Sequence, residues 1–247
     1  MGLFETEAIV LRTYNLAEAD KIVVCLTRRA GVLRGVARGA RKLKSRFGAG
    51  LEPFTLVQLS YYEKEGRELV SVGQAEITRS FFNLSQHTEA VAALSYLCEL
   101  VIEFAPPQEP NEKLFRMVLA CIEAMAQSPA EWQALVRYFE VWMLRLSGFL
   151  PDLRSCADCR KALSAEEPVY FNAEFKLRCA ACSQGQGAQL SADAYRQLRA
   201  TQRLSPQDFA VASRNAGQAV RAELAQVTQR LIERILERTP RAQLSIN

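Results

Sequence analysis

Histidine is almost missing from this chain of 247 residues, which contains a single one, His87. Its scarcity weakens every mechanism that relies on histidine, including catalytic triads, zincin metal sites and histidine-ligated oxygenases. The sequence also has no G-x-x-x-x-G-K-[ST] motif, which excludes P-loop nucleotide hydrolysis. By elimination, the sequence favours a binding protein over an enzyme.

Long apolar runs are absent as well. The longest stretch without a charged residue covers 14 residues, Cys179 to Ala192, and is rich in Gln, Gly and Ser. Because a membrane-spanning helix needs about 20 apolar residues, we expect no segment to cross a bilayer. Residues Met1 to Glu5 lack the basic start and the apolar run of a signal peptide. We therefore expect a soluble, cytoplasmic protein.

Acidic residues are missing from residues 21–51, although the whole chain has 27 of them against 31 lysines and arginines. This stretch carries nine cations instead, namely Lys21, Arg28, Arg29, Arg34, Arg38, Arg41, Lys42, Lys44 and Arg46. A concentrated block of one sign on a nearly neutral protein is typical of a surface that binds a polyanion. The alternative is a solvated loop that only keeps the protein soluble.

Cysteine, in contrast, is present in seven copies that divide into two groups. Cys25, Cys98 and Cys121 lie among apolar residues, where a free thiol behaves as a small hydrophobic group. The other four form two C-x2-C pairs separated by 19 residues: Cys156, Cys159, Cys179 and Cys182. This spacing predicts one structural zinc ion per chain, and four protein ligands leave no open position for catalysis. An iron–sulfur cluster or a redox dithiol pair is the alternative.

Residues 1–80 contain the short β-branched runs that are typical of strands. Five strands are predicted, at Glu7–Arg12, Lys21–Leu26, Gly31–Gly39, Leu51–Tyr62 and Glu68–Ile77, with a turn at Glu63–Gly66. Within the third, alternation places Arg34 and Arg38 on one face and the glycines on the other. Five short strands in this space predict a small closed barrel of the OB or SH3 type.

After Ser80 the apolar residues recur with the period of helices. Helices are predicted around Val91–Val101, at Asn111–Met125 and Trp132–Leu146, from Ser191 onward, and at Ala212–Arg238. Between the cysteine pairs, Pro168–Leu177 is predicted to be a hairpin that returns the second pair beside the first. The chain is thus interpreted as a helical body with a cysteine-bearing insertion.

Residues 39–48 mix cations with glycine, serine and one aromatic residue. Glycine lets the backbone approach a phosphate, cations neutralise it, and an aromatic ring can stack on a base. Nucleic-acid contacts are predicted for Arg34, Arg38, Arg41, Lys42, Lys44, Arg46 and Phe47. Phe47 is equally well suited to plugging the barrel, Arg28 and Arg29 can serve the fold or a partner interface, and RNA or anionic lipid is an alternative ligand.

The run Ala37–Gly48, continuing through Leu51–Phe54, resembles the signature of the RecO family of recombination mediators. The opening Glu7–Arg12 and the junction Gly148–Pro151 ahead of the first cysteine pair also resemble that family. The resemblance covers essentially the whole chain in order. It implies an α+β multidomain protein: an OB-fold DNA-binding barrel over residues 1–80, a helical domain over 81–150 and 188–247, and a four-cysteine zinc module inserted at 151–187.

The resemblance also implies a function. Proteins of this family bind single- and double-stranded DNA and anneal complementary strands without catalysis. With RecR, they help RecA to replace the single-stranded-DNA-binding protein during repair by recombination. We therefore expect DNA, RecR, the single-stranded-DNA-binding protein and indirectly RecA as partners, no membrane, and a cytoplasmic location at the nucleoid.

Two other functions remain open at this point. His87-Thr88-Glu89 matches the H-x-E half of the zinc deaminase signature, but Ser155 and Arg178, not proline, precede the two cysteine pairs. The chain can also be interpreted as an adaptor whose basic block binds an acidic protein tail.

Overall fold

The computed structural model describes residues 2–64 and 66–242. Within these residues the chain divides into two compact units, the first formed by residues up to 129 together with Ala242, and the second by residues 130–241. Glu65 of the predicted turn and the last five residues of the predicted C-terminal helical region lie outside the described residues. The division into four domains stays a prediction.

The N-terminal strands of the first unit close into a barrel in the order β1-β2-β3-β5-β4. They are β1 (Gly2–Leu16), β2 (Asp20–Thr27), β3 (Gly31–Ala37), β4 (Leu56–Glu63) and β5 (Val70–Arg79). All neighbours pair antiparallel except β3 and β5, which run parallel over a short contact from Gly35. A Cβ at Gly35 would lie 2.8 Å from the Val72 side chain, so this contact requires glycine. Alternating residues such as Val10, Val23 and Leu33 fill the barrel core.

All five predicted strands have different bounds in the structure, and the differences are largest for two of them. β1 begins at Gly2 and not Glu7, because its first half pairs with β4 and its second half with β2. β4 begins at Leu56 and not Leu51, because residues up to Thr55 form consecutive turns. Leu51 is nevertheless buried in the barrel core, which explains why its hydrophobicity looks like the start of a strand.

Two α-helices and a short 3-10 helix (Phe82–Gln86) complete the first unit, and both α-helices lie where the apolar period predicts them. They are α1 (Thr88–Phe104) and α2 (Glu112–Gln127). Leu94 and Val101 of α1 are fully buried. The Asn111 side chain accepts a hydrogen bond from the amide of Leu114 and so caps the start of α2.

The second unit is built around α3 (Trp132–Leu146), whose central residues are buried on nearly every side. The cysteine-bearing segment follows with β6 (Val169–Phe171), β7 (Leu177–Cys179), the short helix α4 (Ala180–Ser183) and β8 (Ala188–Leu190). Strand β6 pairs antiparallel with both β7 and β8, so the predicted hairpin gains a third strand.

The end of the second unit contains α5 (Ala192–Ala200), α6 (Pro206–Ser213) and α7 (Gln218–Leu236). The predicted long helix Ala212–Arg238 is therefore wrong at its start. Ser205 caps α6 with its hydroxyl and Pro206 begins it, and a turn through Gly217 separates α6 from α7. Among the helices of the described residues, none has the length and apolarity needed to cross a membrane.

Candidate nucleic-acid interface and metal centre

The basic segment, defined as residues 38–46, leaves β3 and folds as a series of tight turns. Hydrogen bonds from Lys42 N to Gly39 O (3.1 Å) and from Ser45 N to Lys42 O (3.0 Å) close two of these turns. Gly39 adopts a φ of +71°, a left-handed conformation that glycine tolerates without strain. The amide of Gly39 also donates to Asp20 Oδ1 at 2.8 Å, which ties the segment to the start of β2.

Farther along the chain, two residues anchor this loop in the barrel. Phe47 and Leu51 are 3% and 2% exposed and belong to the barrel core. Between them, Gly50 packs so closely that a Cβ there would lie 2.3 Å from the carbonyl oxygen of Ala75. The backbone of the loop is thus fixed while its charged side chains point outward.

Six of the predicted contact residues are exposed cations: Arg34, Arg38, Arg41, Lys42, Lys44 and Arg46. In the described part of the chain, none of them forms an ion pair with a carboxylate. Arg34 lies on the outer face of β3, and the other five belong to the basic segment. Uncompensated cations on a fixed backbone are suited to holding a phosphate chain.

The three remaining cations of residues 21–51 have different surroundings. Lys21 lies 3.7 Å from Glu52, and Arg28 lies 3.2 Å from Glu7 and 3.5 Å from Glu112. The Arg28 guanidinium also lies over the ring of Phe115. These contacts give Arg28 a role in packing the first unit, while Arg29 is exposed.

Phe47 does not lie with the exposed cations. Its ring is buried in the barrel core, with the Arg46 guanidinium 4.8 Å above it. A ring in this position would have to leave the core before it could stack on a base. The placement therefore favours the alternative that Phe47 plugs the barrel, and the exposed surface of this region is formed by the cations without Phe47.

The four clustered cysteines form the second candidate site. The Sγ atoms of Cys156, Cys159, Cys179 and Cys182 all lie within 4.8 Å of one another, and the Cys159–Cys179 pair is 3.9 Å apart. A tetrahedral ion with bonds of about 2.3 Å needs sulfur atoms about 3.8 Å apart. The cluster therefore has the size and the donor set of a four-thiolate metal site.

Backbone structure explains how the two pairs meet. In the first pair, Cys156 N donates to Lys161 O at 2.9 Å and Arg160 N donates to Cys156 O at 3.0 Å, which closes a tight turn. Cys179 ends β7 and Cys182 lies in α4, so the hairpin delivers the second pair. A hydrogen bond from Ala157 N to Leu177 O, 2.8 Å long, joins the turn to β7.

The electrostatics of the cluster also suit a cation. Burial raises the pKa of the Cys156 thiol, but backbone amides, including that of Cys179 at 3.4 Å, outweigh burial and lower this pKa to about 6. Hydrogen bonds with Cys159 and Cys179 raise the pKa of Cys182 to about 12. A bound cation would favour the ionised form of all four thiols.

Some cations near the cysteine cluster are paired with carboxylates and others are not, as is also the case in the barrel. Arg178 pairs with Asp158 at 2.5 Å and Lys176 pairs with Glu174 at 2.8 Å. Arg154, Arg160 and Lys161 are exposed. Two of these five cations therefore already have carboxylate partners.

His87 does not belong to this cluster. Within residues 2–64 and 66–242, the four cysteines are the one group of three or more His, Cys, Asp or Glu side chains close enough to hold a metal. His87 is exposed at the start of α1, and Glu89 is exposed in its first turn. The H-x-E pattern thus gains no support from the geometry of the sulfur cluster.

Sequence reasoning missed a buried ion pair in the second unit. Arg137 and Glu140 are 4% and 0% exposed and lie 3.0 Å apart on α3. Thr228 of α7 donates to Glu140, which links the two helices. The spacing of three residues was visible in the sequence, but nothing there distinguishes this pair from the exposed pairs typical of helix surfaces.

These observations define the class: a mixed α+β protein with an N-terminal sheet of strands, a helical C-terminal part, an exposed basic segment and four cysteines positioned to bind a metal. Sequence comparisons identify the family. The family profile described as "Recombination protein O N terminal" matches residues 1–81, and the profile "Recombination protein O C terminal" matches residues 85–244.

Individual relatives agree with these profiles. The DNA repair protein RecO of Koribacter versatilis is 38% identical over 170 residues, which cover 69% of this chain and 68% of that protein. A protein of the same name from Anaeromyxobacter sp. is 34% identical over 186 residues, covering 75% of this chain and 72% of that one. Another, from Dehalococcoides mccartyi strain CBDB1, is 28% identical over 242 residues, which cover 98% of this chain and 94% of that protein. The chain belongs to the RecO family of DNA repair proteins.

Proposed function

We propose that this protein is a non-catalytic recombination mediator that binds single- and double-stranded DNA and anneals complementary strands. With RecR, it helps RecA to replace the single-stranded-DNA-binding protein on DNA. Membership of the RecO family supports a role in DNA repair. The observation that carries the DNA-binding part is the set of six exposed cations, on β3 and the basic segment, that have no carboxylate partner in the described residues.

The barrel supports this assignment by its topology. We propose that it is an OB fold, since it has five strands in a closed order with a short parallel contact between β3 and β5. OB folds bind single strands along a positively charged groove. Here the positive charge comes from Arg34 on β3 and from the basic segment that follows this strand.

Annealing needs charge neutralisation and not bond chemistry. Two single strands repel each other through their phosphates, and arginine and lysine side chains that replace the counterions of one strand lower the cost of bringing up the other. Contacts to phosphate carry little sequence information, so a surface of this kind accepts strands of any sequence. The six exposed cations supply these contacts without a catalytic group.

For the cysteine cluster we propose one structural zinc ion per chain, held by Cys156, Cys159, Cys179 and Cys182. Support comes from four sulfur atoms within 4.8 Å of one another, and from the tight turn and the β7–α4 segment that bring the two pairs together. Four protein ligands leave no site for water on the ion, so the metal would stabilise this part of the fold.

The DNA-binding proposal is tested by the salt dependence of binding to single-stranded DNA. If about five cations contact phosphate, log K should fall against log[salt] with a slope near −3.5, about 0.7 for each contact. Replacing Arg38, Arg41 and Lys44 with alanine should change the slope to about −1.4 because three contacts are lost. A matched control replaces Lys64, Arg67 and Arg116, exposed cations of the same unit.

The control should retain the slope of the original protein, and circular dichroism should show the same fold for all three proteins. An unchanged slope in the Arg38, Arg41 and Lys44 variant would contradict the assignment of the basic segment. The roles of the partners are tested by the rate of annealing of complementary oligonucleotides coated with the single-stranded-DNA-binding protein. We expect RecR to alter this rate with the original protein and the variant to anneal slowly in both cases.

A further inference from the structure

A second group of arginines lines a cavity in the second unit, in residues that no motif of the sequence indicates. The cavity has a volume of about 300 Å³. Its arginines come from the end of α3, from the segment ahead of the first cysteine pair, and from the end of α5 and the turn that follows it: Arg145, Arg154, Arg199 and Arg203. Three separate parts of the chain thus bring their positive charges to one opening.

Aromatic rings fix two of these guanidinium groups. Arg145 lies 4.7 Å from the ring centre of Trp142 and donates to Gln202, and Arg199 lies 5.6 Å from the ring centre of Tyr195. The rings are themselves held, because Trp142 Nε1 donates to the carbonyl of Thr201 at 2.7 Å. Side chains that are already ordered lose little entropy when they bind an anion.

The hydroxyl group of Tyr195 connects α5 to the third part of the cavity. It donates to the carbonyl oxygen of Leu153 at 2.5 Å, and Leu153 lies next to Arg154 in the chain. The loop before Leu153 is joined to α3 by hydrogen bonds from the amides of Phe149 and Leu150 to Leu144 O, 2.8 and 3.0 Å long. The backbone segments around the opening are therefore joined to one another, while the side chains of Arg145, Arg154 and Arg203 are exposed.

The charge of the cavity is not compensated. In the part of the chain that the structure describes, none of its four arginines forms an ion pair with a carboxylate. The single acidic residue of the lining is Asp152. Its carboxylate accepts hydrogen bonds from the Ser155 hydroxyl and from the backbone amide of Arg154, so its oxygens already have donors. Four cations around one such group leave the cavity strongly positive.

We propose that this cavity binds backbone phosphates of a nucleic-acid strand, so that the protein has a second strand-binding site in addition to the basic segment. Arginine, which provides all four cations, binds phosphate oxygens through two parallel N–H groups. The lining has no aromatic residue, and its apolar side chains are Leu150, Pro151 and Leu153. It thus offers charge for a phosphate chain and little apolar surface for the side chains of a peptide.

This inference rests on the proposed function and extends it. Annealing brings together two strands, and separate binding sites allow one chain to hold both. The basic segment would hold one strand, and the four arginines would hold the phosphates of the other.

The test uses octathymidylate, which cannot pair with itself, and the full-length chain that carries Arg38→Ala, Arg41→Ala and Lys44→Ala. In this variant, the remaining binding of octathymidylate is a measure of binding at the cavity. Adding Arg154→Gln and Arg203→Gln should weaken it roughly 20-fold at 0.1 M salt and flatten the salt slope by about 1.4, because two phosphate contacts are removed. The matched control adds Arg221→Gln and Arg230→Gln, which remove two exposed arginines of the same unit that do not line the cavity.

Each outcome decides the proposal. A loss in the cavity variant together with unchanged binding in the control supports it. The proposal would be overturned if both variants lost octathymidylate binding equally, or if neither lost any. It would also be overturned if no binding remained before the cavity was altered. In each case the basic segment would be left as the DNA site. Binding of hexaglutamate in place of octathymidylate at this cavity would overturn it in favour of an acidic peptide. If the background variant binds as tightly as the original protein, the proposed role of the basic segment fails while the cavity stands.

Discussion

The basic segment of the first unit and the four-cysteine cluster of the second unit are ordered by opposite means. The basic segment is held in place by two buried apolar residues that follow it, Phe47 and Leu51, and its charged side chains are exposed to solvent. In the cysteine cluster the polar atoms face one another, with four sulfur atoms gathered within 4.8 Å. Removing charges from the first should therefore change binding and spare the fold, whereas removing a ligand from the second should change the fold.

The largest effect is expected from loss of the proposed zinc ion. Cys159→Ala should remove about one zinc per chain and lower Tm by roughly 10 °C, since a loss of about 4 kcal/mol shifts a domain of this size by 2–4 °C per kcal/mol. Metal analysis and calorimetry measure both. Cys121→Ala is the matched control because it removes a buried thiol outside the cluster, and it should retain the metal.

Alkylation after chelation sharpens this prediction. Burial raises the pKa of Cys25 and of Cys98 to about 12, and it also raises that of Cys121. Only thiolates react, so these three should stay unlabelled in the folded protein at neutral pH. Labelling within the cluster should increase when the metal is removed, beginning at the exposed thiol of Cys159, and mass spectrometry counts the labelled thiols. Labelling of the cluster at the same rate with and without chelator would contradict a bound metal.

An effect of similar size is expected for Phe47. Because its ring fills the barrel core, Phe47→Ala should lower the free energy of unfolding by about 3–5 kcal/mol, as is typical for truncation of a buried aromatic ring. Phe47→Leu should cost less, since it retains most of the apolar volume. Urea denaturation measures both variants. If Phe47→Ala weakened DNA binding and left stability unchanged, the ring would act at the interface and not in the core.

A smaller effect should separate two neighbouring cations. Within the described residues the Lys44 side chain forms no hydrogen bond or ion pair, whereas Arg46 donates to the carbonyl of Val72 at 3.3 Å and lies over Phe47. Lys44→Gln should flatten the salt slope by about 0.7 and leave stability unchanged. Arg46→Gln should also cost about 0.5–1 kcal/mol of stability, because a cation–π contact is lost. Equal stability of the two variants would show that the packing of Arg46 contributes nothing.

The smallest effect is expected at Leu43, whose side chain is fully exposed in the middle of the basic segment. Leu43→Ser removes no buried surface, so the free energy of unfolding should change by less than about 0.5 kcal/mol. Thermal denaturation checks this. A clear loss of stability would mean that the segment packs against the molecule more closely than the structure shows.

Local patterns predicted much of this structure. The sequence indicated α3 at its observed bounds, Trp132–Leu146, and placed the start of α2 at Asn111, whose side chain caps that helix. The N-terminal strands followed from β-branched runs. The cysteine spacing predicted a cluster of four, and these sulfur atoms do lie together.

Features that depend on distant parts of the chain were harder to predict. Leu51 has the hydrophobicity of a strand residue but is a loop anchor, a difference set by the barrel around it. Phe47 could be a plug or a base contact until its burial was known. The arginine cavity draws on residues almost sixty positions apart, from Arg145 to Arg203, and each of them looks like an ordinary solvated charge in the sequence. The roles of the cations and of the metal stay predictions.

The close packing of Gly50 against the carbonyl oxygen of Ala75 has a practical consequence. Any side chain at this position must push the loop away from β5, yet such a change alters no charge. A substitution at Gly50 would therefore change the positions of the neighbouring cations without changing their number. Protein engineers can use such a variant to test whether DNA binding depends on where those charges lie or only on how many there are.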